Sequence, residues 1–149
     1  MHPINDSATL DARYRTLVIL WFALFCSIGL FFLLTLLAPS EVRENNAVSL
    51  TLAVLGTLAV IASYFVKRRY LNQAVDKQDV ALVQVGTVVA AALNEVAAML
   101  GFLDHILTGN RYYYVLMLMA VIGSLLNFPH RDHLLAASYK SPEPKDPWK

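Results

Sequence analysis

Four apolar runs separated by short polar stretches set the pattern of this chain. The first covers about 17–38, and Pro39 and Ser40 end it. The second covers about 47–66, the third about 80–107 and the fourth about 112–128, where Pro129 stops it. Roughly 20 apolar residues suffice to cross a hydrocarbon core as a helix. The third run exceeds that length, so it is expected to tilt or project. The first run is longer than the roughly 7–15-residue core of a signal peptide and has no small-x-small cleavage site, so it reads as an uncleaved span. The pattern predicts an all-α polytopic membrane protein, a four-transmembrane-helix bundle over 17–128, preceded by a short segment (1–16) and followed by a tail (129–149).

The polar stretches refine this picture. Asp6 and Ser7 cap at most a short interfacial turn, with Leu10 and Tyr14 on one face. After the second run, Lys67, Arg68 and Arg69 begin a charged connection that continues as an amphipathic helix, Tyr70, Leu71, Ala74 and Val75 opposing Asn72, Gln73, Lys77 and Asp79. The basic triplet reads as a topology signal and a contact for anionic lipid headgroups. Thr108, Gly109 and Asn110 form a turn in which Gly109 caps the third helix. Tyr112, Tyr113 and Tyr114 make an aromatic belt. The tail begins with a short amphipathic piece and ends in Pro-rich polar sequence expected to be disordered.

Charge fixes an orientation. Of the twelve Lys and Arg, ten lie in the N-terminal segment, the middle connection and the tail; only Arg43 and Arg111 lie in the other two loops. By the positive-inside rule both termini are cytoplasmic. The composition, 57% hydrophobic and 15% charged, departs from that of soluble domains in the same direction. A net charge of +1 gives no basic field for nucleic acid.

Small residues predict where helices approach closely. Ala53, Gly56, Ala59 and Ser63 recur at three- and four-residue spacing on the second span, and Ala97 and Gly101 form a second row on the third. Gly56, Ser63, Ala97 and Gly101 are the expected packing positions. Ser27 and Gly29 offer one such spot on the first span, whose aromatics Trp21, Phe22, Phe25, Phe31 and Phe32 suit lipid contact.

The third span carries the candidate chemistry. Gln84, Thr87, Ala91, Asn94, Glu95, Ala98, Phe102 and His105 fall in one broad stripe at about 100° per residue. Glu95 stands near the middle of the run. A charged residue there costs roughly 2.5–3.5 kcal/mol on insertion scales, so a partner, a wet cavity or a proton must compensate. Glu95 is thus a candidate ion- or proton-binding carboxylate, with Asn94, Thr87 and Gln84 as possible hydrogen-bond or ligand groups. Its alternative role is a polar contact that fixes helix register. Asp104 lies nearly opposite Glu95, close to the outer interface, where it is expected to reach water.

No other group suggests a reaction. Cys26 is single and reads as a packing residue. Asp104 and His105 are adjacent and chelate one ion poorly. His130 and His133 flank Asp132 at helical spacing, but at the opposite end from His105, and no metal site is expected. No cofactor is implied. No nucleophile–base pair, phosphate-binding glycine loop or CxxC is present, so no enzymatic activity is expected.

The segment Ala90 to Gly109, AAALNEVAAMLGFLDHILTG, resembles a pattern in small, mostly uncharacterised bacterial four-span inner-membrane proteins. There one Glu on an alanine-rich helix is followed by a Gly and an L-T-G turn, here Glu95, Gly101 and Leu107-Thr108-Gly109. That resemblance implies a fold and an inner-membrane location, not an activity. More distantly, Glu95 on its alanine-rich helix is similar to the ion carboxylate of proteolipid rotor subunits of rotary ATPases. The glycine-rich helix of those rotors is missing, since the first span has only Gly29 and the second only Gly56. The leading expectation is an accessory or assembly subunit of a larger inner-membrane complex, with other membrane subunits or itself as partner. The alternatives are a self-assembling proton or cation conductor and a lipid- or quinone-binding protein.

Overall fold

The structure, a computed structural model, describes residues 4–38 and 45–138. These form five helices: α1 (Ile4–Leu37), α2 (Asn46–Lys77), α3 (Val80–Thr108), α4 (Tyr113–Leu126) and α5 (Arg131–Ser138). No strand occurs among the described residues. Three helices, α1 to α3, are long and apolar enough to cross a membrane. The pair α4 and α5 adds a fourth crossing if taken as one span, bent by 46° at its break.

Local chemistry sets the helix ends. The Asn45 side chain accepts from the Val48 N–H at 3.3 Å and opens α2. Gln78 takes a left-handed conformation, φ 52°, and its N–H closes α2 on the Ala74 and Val75 carbonyls. Asp79 then caps α3 by accepting from the Ala81 N–H at 2.8 Å. At the far end Gly109, φ 61°, caps α3 as its turn predicts; a left-handed residue there is least costly as glycine. The expected third span, 80–107, therefore coincides with α3 to within a residue.

Elsewhere the helices depart from expectation. In place of a short interfacial turn, α1 already begins at Ile4. Leu10 and Tyr14 explain this, because they pack on a buried cluster of Ala74, Val83, Leu134 and Ala137. The amphipathic continuation after the basic triplet is fused with the second run into one helix, α2. The fourth run yields only 14 helical residues, Tyr113–Leu126, instead of 112–128. Pro129 disfavours helical backbone in the residue before it, and the chain turns at Asn127 and Phe128 before α5. The expectation of a Pro-rich disordered end falls on 139–149, outside the described residues.

The third helix organises the bundle. It packs on α1, α2, α4 and α5, whereas α1 and α2 do not pack on each other. Its buried positions, including Val83, Thr87, Ala90, Asn94, Ala97, Gly101 and Asp104, recur every three or four residues. Mid-bundle, Ala97 and Ala98 meet Ile28 of α1 and Ala120 of α4. Close approach rests on missing side chains. A Cβ on Gly56 would lie 2.6 Å from the Leu116 side chain, and one on Gly86 would lie 2.5 Å from Tyr70 Cβ. Where lipid tails are as apolar as leucine, such contact and polar bonds, not the hydrophobic effect, hold helices together.

The bundle has two unlike ends. One gathers residues 10–15, 67–83 and 127–137, tied together by the second cluster and by an Asp11–Arg131 ion pair of 2.7 Å. The other gathers Ser49, Asp104, Thr108 and Asn110. Of the eight Lys and Arg among the described residues, seven lie at the first end and only Arg111 at the second.

Candidate functional site

Glu95 sits on the flank of α3 that faces α1 and is half-buried. The Ser27 hydroxyl of α1 donates to Glu95 Oε1. This is the only hydrogen bond of the Glu95 side chain among the described residues, and no cation lies within ion-pair distance of it. One carboxylate oxygen is thus held by the chain itself and the other is not.

Its expected helpers are turned elsewhere. Asn94, next in sequence, points toward α2 and α4 and is fully buried. The Ser63 hydroxyl lies 3.1 Å from Asn94 Oδ1 and 2.7 Å from the Val60 carbonyl, so its single proton serves two acceptors. Asn127 Nδ2 donates to Ser63 Oγ at 3.1 Å. The Thr87 hydroxyl donates to its own helix at the Val83 carbonyl, 2.9 Å away. Gln84 is half-buried and makes no hydrogen bond among the described residues. The stripe of polar and small residues is therefore split. The buried face of α3 is rotated toward the row of Ala97 and Gly101, leaving Gln84, Glu95, Phe102 and His105 on its edge.

The Asn94 network binds three helices, and its fit is tight. A Cβ on Gly123 would fall 2.6 Å from Asn94 Oδ1 and 3.0 Å from Val60 Cγ1, so only glycine lets α4 approach here. Asn94 Nδ2 and Ser124 Oγ are buried without partners, a cost of about 1–3 kcal/mol for each such group. The Ser124 carbonyl beside them accepts from the indole N–H of Trp21 at 3.0 Å.

The packing positions predicted from small residues are all buried at helix contacts. Gly56 faces Leu116, Gly101 faces Met117 and the Tyr113 carbonyl, Ala97 lies in the central cluster, and Ser63 meets Asn94. Gly29 does not act this way: a Cβ there would meet nothing within 4 Å. Nor does Trp21 face outward; its N–H needs an acceptor, and it is buried against Phe25 and Phe128 while Phe22 and Phe32 stay exposed. Asp104, expected to reach water, is 3% exposed. Thr108 Oγ1 shares its one proton between the Asp104 carbonyl at 2.7 Å and Oδ1 at 2.8 Å, and Asn110 Nδ2 donates to Oδ2 at 2.8 Å, so the turn that ends α3 stands where water would have been.

The basic triplet also divides. Arg68 and Arg69 are exposed, but Lys67 is turned inward and only 7% exposed, its Nζ donating to the Phe128 carbonyl at 3.2 Å. His130 Nδ1 lies 2.9 Å from the same carbonyl. The His133 ring stands 5.6 Å from that of His130. Burial first, then the charges of Lys67 and His130, hold the His133 pKa below its ordinary value, against an opposing pull from Asp132.

Sequence reasoning missed Ser27 as the partner of Glu95 and Asn127 as the partner of Ser63, because each pair belongs to helices far apart in the chain. The inward Lys67 had a signal: it lies one turn after Ser63 on the face that α2 buries. Among the described residues no three His, Cys, Asp or Glu are grouped to hold a metal ion. Compared with protein-family models, with curated proteins and with solved structures, this chain matches none.

Proposed function

We propose that this chain is a four-span protein of the bacterial inner membrane, with both termini cytoplasmic, that serves as an accessory or assembly subunit of a larger complex and offers Glu95 to a partner subunit. The observation that carries this reading is the half-used carboxylate. Ser27 engages one oxygen of Glu95, while the other lies on the flank of the bundle with no donor among the described residues. In lipid a free polar group of this kind calls for a donor from another helix. The orientation is supported by the seven-to-one division of Lys and Arg between the two ends.

Conduction of protons or cations by Glu95 is the second reading. It finds less support, because Asn94, Thr87 and Gln84 do not reach Glu95 and no second titratable group stands beside it. The deciding experiment is purification from native membranes in mild detergent, with and without Glu95→Leu. The wild type should carry another membrane subunit at fixed stoichiometry, and Glu95→Leu should lose it while remaining folded. Recovery of this chain alone, together with a liposome proton or Na⁺ flux abolished by Glu95→Gln, would replace the subunit reading with the conductor.

A further inference from the structure

The face of α2 opposite Glu95 bears a second arrangement. A groove of about 260 Å³ lies between α2 and α4, open to the side and lined mainly by apolar groups of Ile61, Phe65, Gly123 and Leu126. Ser63 and Asn127 also line it. One helical turn beyond Ser63 on α2 comes Lys67, and one residue beyond Asn127 comes Phe128, whose carbonyl Lys67 and His130 share. The apolar groove thus ends about one helical turn short of three groups that carry or accept positive charge: Lys67, His130 and His133.

Asp132 acts on His133, but Lys67 has no carboxylate paired with it. An ammonium has three N–H donors, and Lys67 uses one, on a neutral carbonyl. No carboxylate lies within 4.0 Å of Lys67 among the described residues. Asp11 of α1 is taken by Arg131, and Asp132 is on the exposed side of α5. A charge this far from water ordinarily finds an opposite charge. Arg68 and Arg69, exposed beside the cluster, add a long-range pull on anions.

We propose that the α2–α4 groove seats an acyl chain of an anionic phospholipid whose phosphate is received by Lys67, His130 and His133. Charge complementarity selects the headgroup, and the side opening of the groove admits the chain from the bilayer. This site is separate from Glu95, and its test is independent of the subunit reading.

The test is native mass spectrometry of the purified full chain, titrated with phosphatidylglycerol or with phosphatidylcholine of the same chains. The wild type should retain one phosphatidylglycerol in preference to phosphatidylcholine. Lys67→Gln should weaken that retention about fivefold, the scale of one lysine at a membrane surface. Ile61→Trp, which fills the groove from an exposed position, should weaken it comparably. Arg111→Gln, exposed at the opposite end of the bundle, should change it less than twofold. Should Lys67→Gln fail to fold, His133→Gln with Ile61→Trp decides the matter. Equal retention of the two lipids, or wild-type retention in Ile61→Trp, overturns the proposal. Inorganic phosphate displacing phosphatidylglycerol without any effect of Ile61→Trp overturns it too, in favour of a free-anion site.

Discussion

Asn94 and Glu95 are consecutive on α3 and live in different surroundings. The amide is fully buried and reaches α2 and α4 through Ser63 and Asn127; the carboxylate is half-buried and holds only Ser27 of α1. About 100° of rotation separates them. The amide side is built to tolerances of a few tenths of an ångström, with glycine where α4 crosses. The carboxylate side has one bond, to Ser27, while Gly29, two residues further on, lies on the outward side of α1, where a Cβ would meet nothing within 4 Å. Two polar residues in an apolar helix therefore divide the work: Asn94 fixes how the chain's own helices meet, and Glu95 is left for something else.

The sharpest way to break this contrast is at the two glycines. Gly123→Ile would drive a Cβ into Asn94 and Val60 and should destabilise the bundle by about 3 kcal/mol, read by SDS-titrated unfolding in mixed micelles. Gly29→Ile should stay within about 0.5 kcal/mol of wild type. Equal effects would mean that the tight crossing at Asn94 carries no more energy than the open face of α1. Next in size is Asn94→Ala, expected to cost about 1–2 kcal/mol by the same measurement. A double-mutant cycle with Ser63→Ala should show a coupling of about 0.6 kcal/mol; none would mean that the pair is geometrically close but energetically silent.

A pH dependence sharpens the contrast at the basic end. The His133 pKa is lowered on folding, chiefly by burial, so the neutral ring is the form that the fold favours. Its contribution to α5 docking is full above the ordinary value of 6.5 and is lost as pH falls through the lower folded value. Around it stand Lys67 of α2, His130 and Asp132, with Asp11 of α1 paired to Arg131. Amide exchange over 131–138 should therefore quicken on acidification below 6.5, and His133→Gln should flatten that response. The smallest effect belongs to Glu95→Gln. It keeps an oxygen for Ser27 and should move stability by less than about 0.5 kcal/mol, by the unfolding assay above, even where it disrupts a partner contact.

What was legible in the sequence follows from what local rules control. Run length and the Gly109 cap fixed α3 almost to the residue, although Asp79, expected on the amphipathic continuation of the second run, caps α3 instead; small-residue spacing found Gly56, Ser63, Ala97 and Gly101 at helix contacts. The extent of α1 was not legible, because Leu10 and Tyr14 are held by a buried cluster at least 60 positions away. Helical periodicity put Asn94, Thr87 and Gln84 on one stripe with Glu95, but the neighbour met by each depends on how α3 is rotated in the bundle. Asp104 was assigned to water and Lys67 to lipid headgroups by their nearness to the run ends; a turn and a backbone carbonyl instead supply their partners inside. No property of a single helix announces a bond such as Ser27 to Glu95.

The separation of α1 from α2 has a consequence for synthesis. α1 finds its contacts on α3, α4 and α5, and α3 ends at Thr108, about 70 residues after Leu37. At the usual 5–20 residues per second, α1 waits roughly 4–14 s for its first full partner. Until then the Trp21 indole lacks its Ser124 acceptor and the Ser27 hydroxyl its Glu95 partner. Truncations that end before α3 should therefore leave α1 without its lasting contacts and more open to proteolysis than in the full chain.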